Sequence, residues 1–220
     1  MSKEDEFTHF GFDKVRTAAK AEKVAGVFNS VSADYDIMND LMSLGTHRIL
    51  KRIAVNQTKL KAGEKVLDLA GVTGDMALLL HKIVSSSGFV FVCDINQAML
   101  KKGRERLLDK GIIKGTAYIQ ADGEKLTIRK NSFDAITVSF GMMNFTNKQK
   151  ALERMVEVLD YGGRLVILEF SRPTNPTISK AYASFSGLWP RLGKLITGDE
   201  SSYKYLVESI QTHPAQETMR

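Results

Sequence analysis

Lys65-Val66-Leu67-Asp68-Leu69-Ala70-Gly71-Val72-Thr73-Gly74-Asp75 decides how the chain is read. A short apolar run carrying an acid passes through a turn of small residues. It then gives way to Met76, Leu79, Leu80 and Ile83 at helical spacing. Strand, tight turn and helix in that order open a nucleotide-type α/β domain. The turn lets backbone approach a ligand, and the helix N-terminus offers N–H groups that the helix itself leaves unused. By itself the stretch implies a site for an adenosine-containing cofactor and no more.

Outward from it the pattern alternates. Strands are expected over 65–69, 89–93, 116–120, 133–139 and 163–170, and helices over 75–84, 96–109 and 147–159. Asn96 and Asn147 stand where N-caps belong. The strands are nearly continuous apolar runs, as strands buried on both faces are. Such alternation gives a mostly parallel sheet with right-handed crossovers and helices on both faces, so the fold class is α/β with a Rossmann-like sheet. Residues 14–57 read helical, with Val24, Val27, Phe28 and Val31, then Ile37, Leu41, Leu44, Ile49 and Ile53, on helix faces. Breaks fall near Ser32 and Gly45. Residues 172–220 read as a loop punctuated by Pro173 and Pro176, followed by helical pieces. The expected organisation is an N-terminal helical cap (1–64), a cofactor-binding core (65–171) and a helical lid segment (172–220) within one domain. Leu165-Val166-Ile167-Leu168 is the most apolar strand, and no later segment reads as a strand to cover its outer edge. Such an edge favours self-association.

The chain has 220 residues, 43% hydrophobic, with a formal charge of +6. That is enough for one full core. The densest basic cluster, Lys101, Lys102, Arg104 and Arg106, shares its helix with Glu105 and Asp109 and has no interleaved aromatics. It reads as a solvated helix face, and no nucleic-acid partner is expected. The single cysteine, Cys93, precludes an intrachain disulfide and fits a reducing compartment. The N-terminus is acidic and polar, and no apolar run is long enough to span a bilayer. The expectation is a cytoplasmic protein, with peripheral membrane contact compatible.

In open α/β sheets ligands sit beyond the carboxyl ends of the strands. Four segments should meet there: the 71–75 turn, Asp94 after the second strand, Asp122-Gly123 after the third, and Ser139-Phe140-Gly141 after the fourth. Asp94 suits a pair of ribose hydroxyls and Asp122 the exocyclic amine of adenine. Each acid alone could equally be a helix cap or a turn residue. Nicotinamide dinucleotides and S-adenosylmethionine compete for such a site. Gly71-Val72-Thr73-Gly74 lacks the G-x-G-x-x-G spacing, no Tyr-x-x-x-Lys pair occurs, and Asp75 would oppose a pyrophosphate. S-adenosylmethionine carries no phosphate and is the better fit. No metal is expected.

The chain resembles the UbiE-type ubiquinone/menaquinone biosynthesis C-methyltransferases, a class I S-adenosylmethionine-dependent family. The resemblance is carried by Tyr35-Asp36-Ile37-Met38-Asn39-Asp40-Leu41-Met42-Ser43 with His47-Arg48, and by Asp68-Leu69-Ala70-Gly71 with Thr73-Gly74-Asp75. Asp94-Ile95-Asn96, Ser139-Phe140-Gly141, Gly162-Gly163-Arg164, Leu168-Glu169-Phe170-Ser171 and Ser202-Tyr203 with Tyr205-Leu206 extend it along nearly the whole chain. It implies cofactor contacts at Thr73, Asp94, Asp122, Gly123 and Ser139. It also implies methylation of a ring carbon of a polyprenylated quinol, the substrate partner. Helices at both ends would form a lid over an apolar slot. Its candidate lining is Met38, Met42, Phe140, Met142, Met143 and Phe145, with Phe185 and Trp189, all of which could equally be ordinary core. Tyr35 and His47 are polar candidates near the ring. No catalytic base is assigned.

Three departures from the family pattern carry expectations. Val72 replaces a glycine of the cofactor loop and should weaken cofactor binding. Met143 replaces the arginine of Phe-Gly-x-Arg-Asn and should slow the chemical step. The family's C-terminal helix and β-hairpin have no counterpart before Arg220. A second reading follows: a catalytically impaired or non-catalytic homologue acting as a partner of quinone-pathway enzymes.

Overall fold

The computed structural model describes residues 7–31, 34–171 and 175–214. In chain order the elements are β1 (Phe7–Phe10), β2 (Asp13–Arg16), α1 (Thr17–Ser30), α2 (Tyr35–Ser43), α3 (His47–Gln57) and β3 (Lys65–Leu69). Then come α4 (Asp75–Val84), β4 (Phe89–Asp94), α5 (Gln97–Asp109), β5 (Thr116–Gln120), β6 (Phe133–Ser139) and α6 (Lys148–Val158). The series ends with β7 (Leu159–Leu168), α7 (Pro176–Ser186), α8 (Trp189–Thr197) and α9 (Glu200–Thr212). Two compact units result: residues 48–169, and the described residues of 1–47 with 170–220.

The 48–169 unit carries the sheet. Its order is β5-β4-β3-β6-β7, and every neighbouring pair is parallel. The register brings Leu69 level with Cys93 and Val138, and Asp94 level with Gln120. Ser139 stands level with Leu168. The carboxyl ends of all five strands therefore lie in one row. Burial holds them there: Val66, Leu67, Val90, Val92, Ala135 and Ile136 are fully enclosed, and Leu80, Val84 and Leu107 pack over them from α4 and α5. Asn96 and Asn147 are N-caps, accepting from the Met99 and Lys150 backbone N–H at 3.2 and 2.9 Å.

The last strand starts earlier than expected, at Leu159 rather than 163. Pairing stops at Phe133↔Leu159 and resumes at Ala135↔Arg164, so Asp160-Tyr161-Gly162-Gly163 is a bulge inside the strand. Gly162, with φ +76°, permits it. Among the described residues β7 is an edge of this sheet.

In the other unit, residues 14–16 are strand and not helix. β1 and β2 pair antiparallel around Gly11, whose φ of +59° makes the turn. The Phe12 N–H donates to the Glu208 carboxylate of α9 at 3.2 Å, and Phe10 stacks on Tyr205 at 4.2 Å. α2 ends at left-handed Leu44 and Gly45, the expected break. The break near Ser32 and the kink at Pro173 lie outside the described residues. No helix among the described residues is long and apolar enough to cross a membrane.

Candidate active site

The loop after β3 is wound tightly. Ala70, Val72 and Gly74 take φ of +56°, +43° and +77°. Gly71 is required for space: a Cβ there would lie 2.8 Å from both the Asp68 carboxylate and Val92. Gly103 of α5 lets that helix approach, since its Cβ would meet the Val72 carbonyl at 2.9 Å. Thr73 is buried in this loop.

Asp94, buried at the end of β4, reaches across to the loop. One carboxylate oxygen accepts the Val72 N–H at 3.2 Å and the other the Asn96 N–H at 2.8 Å. Burial pushes its pKa up to about 6, and the backbone N–H donors pull the other way. Asp122 caps the short turn Gly123–Lys125, accepting the Glu124 N–H at 2.9 Å. Gly123 is buried, and a Cβ there would lie 2.6 Å from the Phe145 ring. Ser139 is buried, and its hydroxyl has no hydrogen-bond partner. Phe140 follows at φ +56°, its N–H donating to the Leu168 carbonyl at 2.7 Å. A Cβ on Gly141 would lie 2.5 Å from that of Ala70, so the loops after β3 and β6 touch. The Ala121 N–H meets the Asp94 carbonyl at 3.1 Å. Thr73, Asp94, Asp122, Gly123 and Ser139 thus surround the carboxyl end of β3.

Four further charged groups lie at this end of the sheet. Asp68 is fully enclosed in β3; Thr137 donates to one oxygen at 2.8 Å, and the other has no partner. Burial pushes its pKa up to about 7, opposed by the Thr137 bond and by the Lys51 charge. An acid inside an apolar strand was the signal for it. Asp75 is held by Lys51 at 3.1 Å and by Arg106 at 2.8 Å. Its charge is answered locally, so the case against a pyrophosphate rests on glycine spacing instead. Arg106 turns inward from the helix face read as solvated. Lys51 sits on the buried side of α3 beside Ala54 and Val55, a placement the sequence spacing displays.

The lining candidates divide between the units. Phe140, Met142 and Met143 are buried in one; Met38, Met42 and Trp189 are buried in the other, where Trp189 meets Phe185 edge-on at 5.5 Å. Tyr35 and His47 are buried in that second unit too, and His47 Nε2 pairs with Asp40 at 2.9 Å.

Residues 16–220 match the ubiE/COQ5 methyltransferase family. The chain belongs to that family. A ubiquinone/menaquinone biosynthesis C-methyltransferase UbiE from Pseudomonas fluorescens (strain Pf0-1) is 52% identical over 214 residues, covering 97% of this chain and 84% of that protein. The protein of the same name from Pseudomonas putida is 50% identical over the same shares. Among solved structures, a SAM-dependent methyltransferase from Aquifex aeolicus aligns at TM-score 0.56 and 20% identity, over 64% of this chain and 75% of that one. The cyclase SpnF aligns at TM-score 0.59 and 14% identity over 76% of each chain. A cyclase on the same sheet shows that this likeness establishes the fold alone. Family membership makes this chain an S-adenosylmethionine-dependent methyltransferase of Rossmann-like fold.

Proposed function

We propose that this chain methylates a ring carbon of a polyprenylated benzoquinol or demethylmenaquinol. The observation that carries the reading is the 52% identity to a named C-methyltransferase across 97% of the chain. The residues present fit S-adenosylmethionine, which when bound supplies an electrophilic methyl group. The Ser139 hydroxyl and one Asp68 oxygen are buried without partners, as groups awaiting a ligand are. Backbone N–H groups of Asn96, Val72 and Ile95 bond Asp94, and a carboxylate has about four acceptor sites, so one remains for a ribose hydroxyl. Asp122 bonds the Glu124 N–H through one oxygen, and the other, 3.8 Å from the exposed Lys125 ammonium, is the acceptor for the adenine amine; Gly123 lets the Phe145 ring pack against it. Thr73 and Ser139 take the polar atoms at the reacting end. Lys51 and Arg106 fix Asp75 and with it the start of α4.

The polyprenyl tail places the substrate at a bilayer. Ile49, Leu50 and Ile53 are exposed on α3 beside exposed Arg52, a surface suited to the interface of an anionic membrane. The reading includes peripheral contact at the inner, cytoplasmic face. No observation favours the non-catalytic role.

The test is calorimetric titration with S-adenosylmethionine, followed by transfer of labelled methyl to reduced demethylmenaquinol and to the benzoquinol. Label in the lipid extract is the expected result. A folded chain that binds the cofactor and labels neither quinol overturns the reading.

A further inference from the structure

We propose that Lys148 is a catalytic residue whose ammonium group binds the oxygen of the ring being methylated. The proposal rests on the quinol reading above. A ring carbon becomes nucleophilic when the neighbouring hydroxyl gives up its proton, and the developing anion needs a fixed positive group shielded from water. The turn Gly141-Met142-Met143-Asn144-Phe145 follows directly on Ser139 at the end of β6, and the Met143 side chain is apolar and buried. Lys148, the first residue of α6, folds back over this turn. Its Nζ donates to the Met143 carbonyl at 3.5 Å and to the Phe145 carbonyl at 3.3 Å. An ammonium has three N–H donors, so one is left for a ligand.

The turn and the ammonium are held from both sides. Glu169, just past β7, accepts the Met143 N–H at 3.1 Å. Glu124 accepts the Thr146 and Asn147 N–H at 2.6 and 3.0 Å. These two carboxylates are the charges that face Lys148; they favour its protonated form, while burial lowers its pKa and prevails. Lys148 is half-buried, and Lys51, the buried lysine at this end of the sheet, is committed to Asp75.

In the reaction the hydroxyl proton leaves to solvent while Lys148 stays an ammonium against the oxygen. The ring carbon forms the new C–C bond with its own electron pair as the donor C–S bond breaks, that pair remaining on sulfur. The carbon then loses its hydrogen as a proton, and the oxygen regains one.

The experiment compares wild type, Lys148→Met and Lys148→Arg under anaerobic conditions, recording kcat, KM, cofactor Kd and the pH profile of kcat. Lys148→Met should lose about 100-fold in kcat with cofactor Kd changed less than about twofold. Lys148→Arg should recover about tenfold of that loss. The wild-type rate should fall on the alkaline side below the pH at which an ordinary lysine titrates. In Lys148→Arg that limb should move upward, because a guanidinium keeps its proton. A lysine that only braces the 141–145 turn would leave the limb in place, and that result overturns the proposal even if Lys148→Met fails to fold. An active wild type with Lys148→Met within about threefold of it removes Lys148 but leaves the quinol reading standing. A wild type that transfers methyl to no quinol removes both.

Discussion

Replacing Val72 with glycine acts on stability and affinity by separate routes. Val72 holds φ at +43°, a conformation the fold of the loop imposes, so the left-handed penalty is assigned to folding. For a non-glycine residue that penalty is about 1–2 kcal/mol. Glycine removes it but loses about 0.5–1 kcal/mol through the freer unfolded chain. Taken at their midpoints these leave a net gain of about 0.75 kcal/mol, or a Tm rise of about 1.5–3 °C for a chain of this size. With the backbone cost assigned to folding, affinity should change only through the two methyl groups, which would crowd an adenosyl group bound at this loop. Taking the low end of overpacking costs, about 1 kcal/mol, Val72→Gly should tighten cofactor binding about fivefold. Val72→Ala keeps the strained backbone and loses the methyls, so it should tighten binding without raising Tm. Calorimetry and differential scanning fluorimetry on the three proteins check both. A Val72→Gly variant with unchanged Tm refutes the strain argument, and unchanged Kd refutes the crowding argument.

Ser139→Ala should leave the unliganded Tm unchanged or slightly higher, because the hydroxyl has no partner to lose, while weakening cofactor binding about three- to tenfold by calorimetry. Cofactor affinity should fall as pH drops through about 6, where Asp94 takes up a proton and loses acceptor capacity; Asp94→Asn should bind weakly with no such midpoint. Asp68, raised from 3.8 to about 7, binds a proton more tightly folded than unfolded. Stability from this group is therefore greatest in acid and declines as pH rises toward about 7, so the wild-type Tm should fall relative to Asp68→Asn across that window. A constant Tm difference between the two proteins would sink that assignment.

The sheet was legible because parallel strands buried on both faces must be apolar throughout, and Val90, Val92, Ala135 and Ile136 leave little else to read. The candidate site was read from strand ends, since ligands collect there whatever the chemistry. The β1–β2 hairpin was not legible: its strands are four residues each and half exposed. They are held by Glu208 and Tyr205 from the far end of the chain. Arg106 looked like its exposed neighbours Lys101 and Arg104, and only the position of Asp75 in space draws it inward. The start of β7 was hidden by glycines that read as a turn and are a bulge.

The unpartnered groups bear on whether the fold works as an enzyme or only as a scaffold. Each buried polar atom without a partner destabilises a fold by about 1–3 kcal/mol. The Ser139 hydroxyl and the second Asp68 oxygen are two such atoms, set at the ends of adjacent strands β6 and β3. An alanine at 139 and an asparagine or apolar residue at 68 would suit a scaffold better, since neither position contributes to packing that those residues could not supply. Asp94 adds a third unfavourable group, kept ionisable by backbone donors from the cofactor loop and the α5 cap. A bound cofactor with ribose donors and a sulfonium charge would answer such groups together. The loop strain at Ala70, Val72 and Phe140 lies in the same place, and strain persists where the surroundings over-determine it. Within the 48–169 unit the buried side-chain atoms left without partners fall at one end of the sheet, in groups that share one ligand chemistry, the arrangement expected of a cofactor-dependent enzyme.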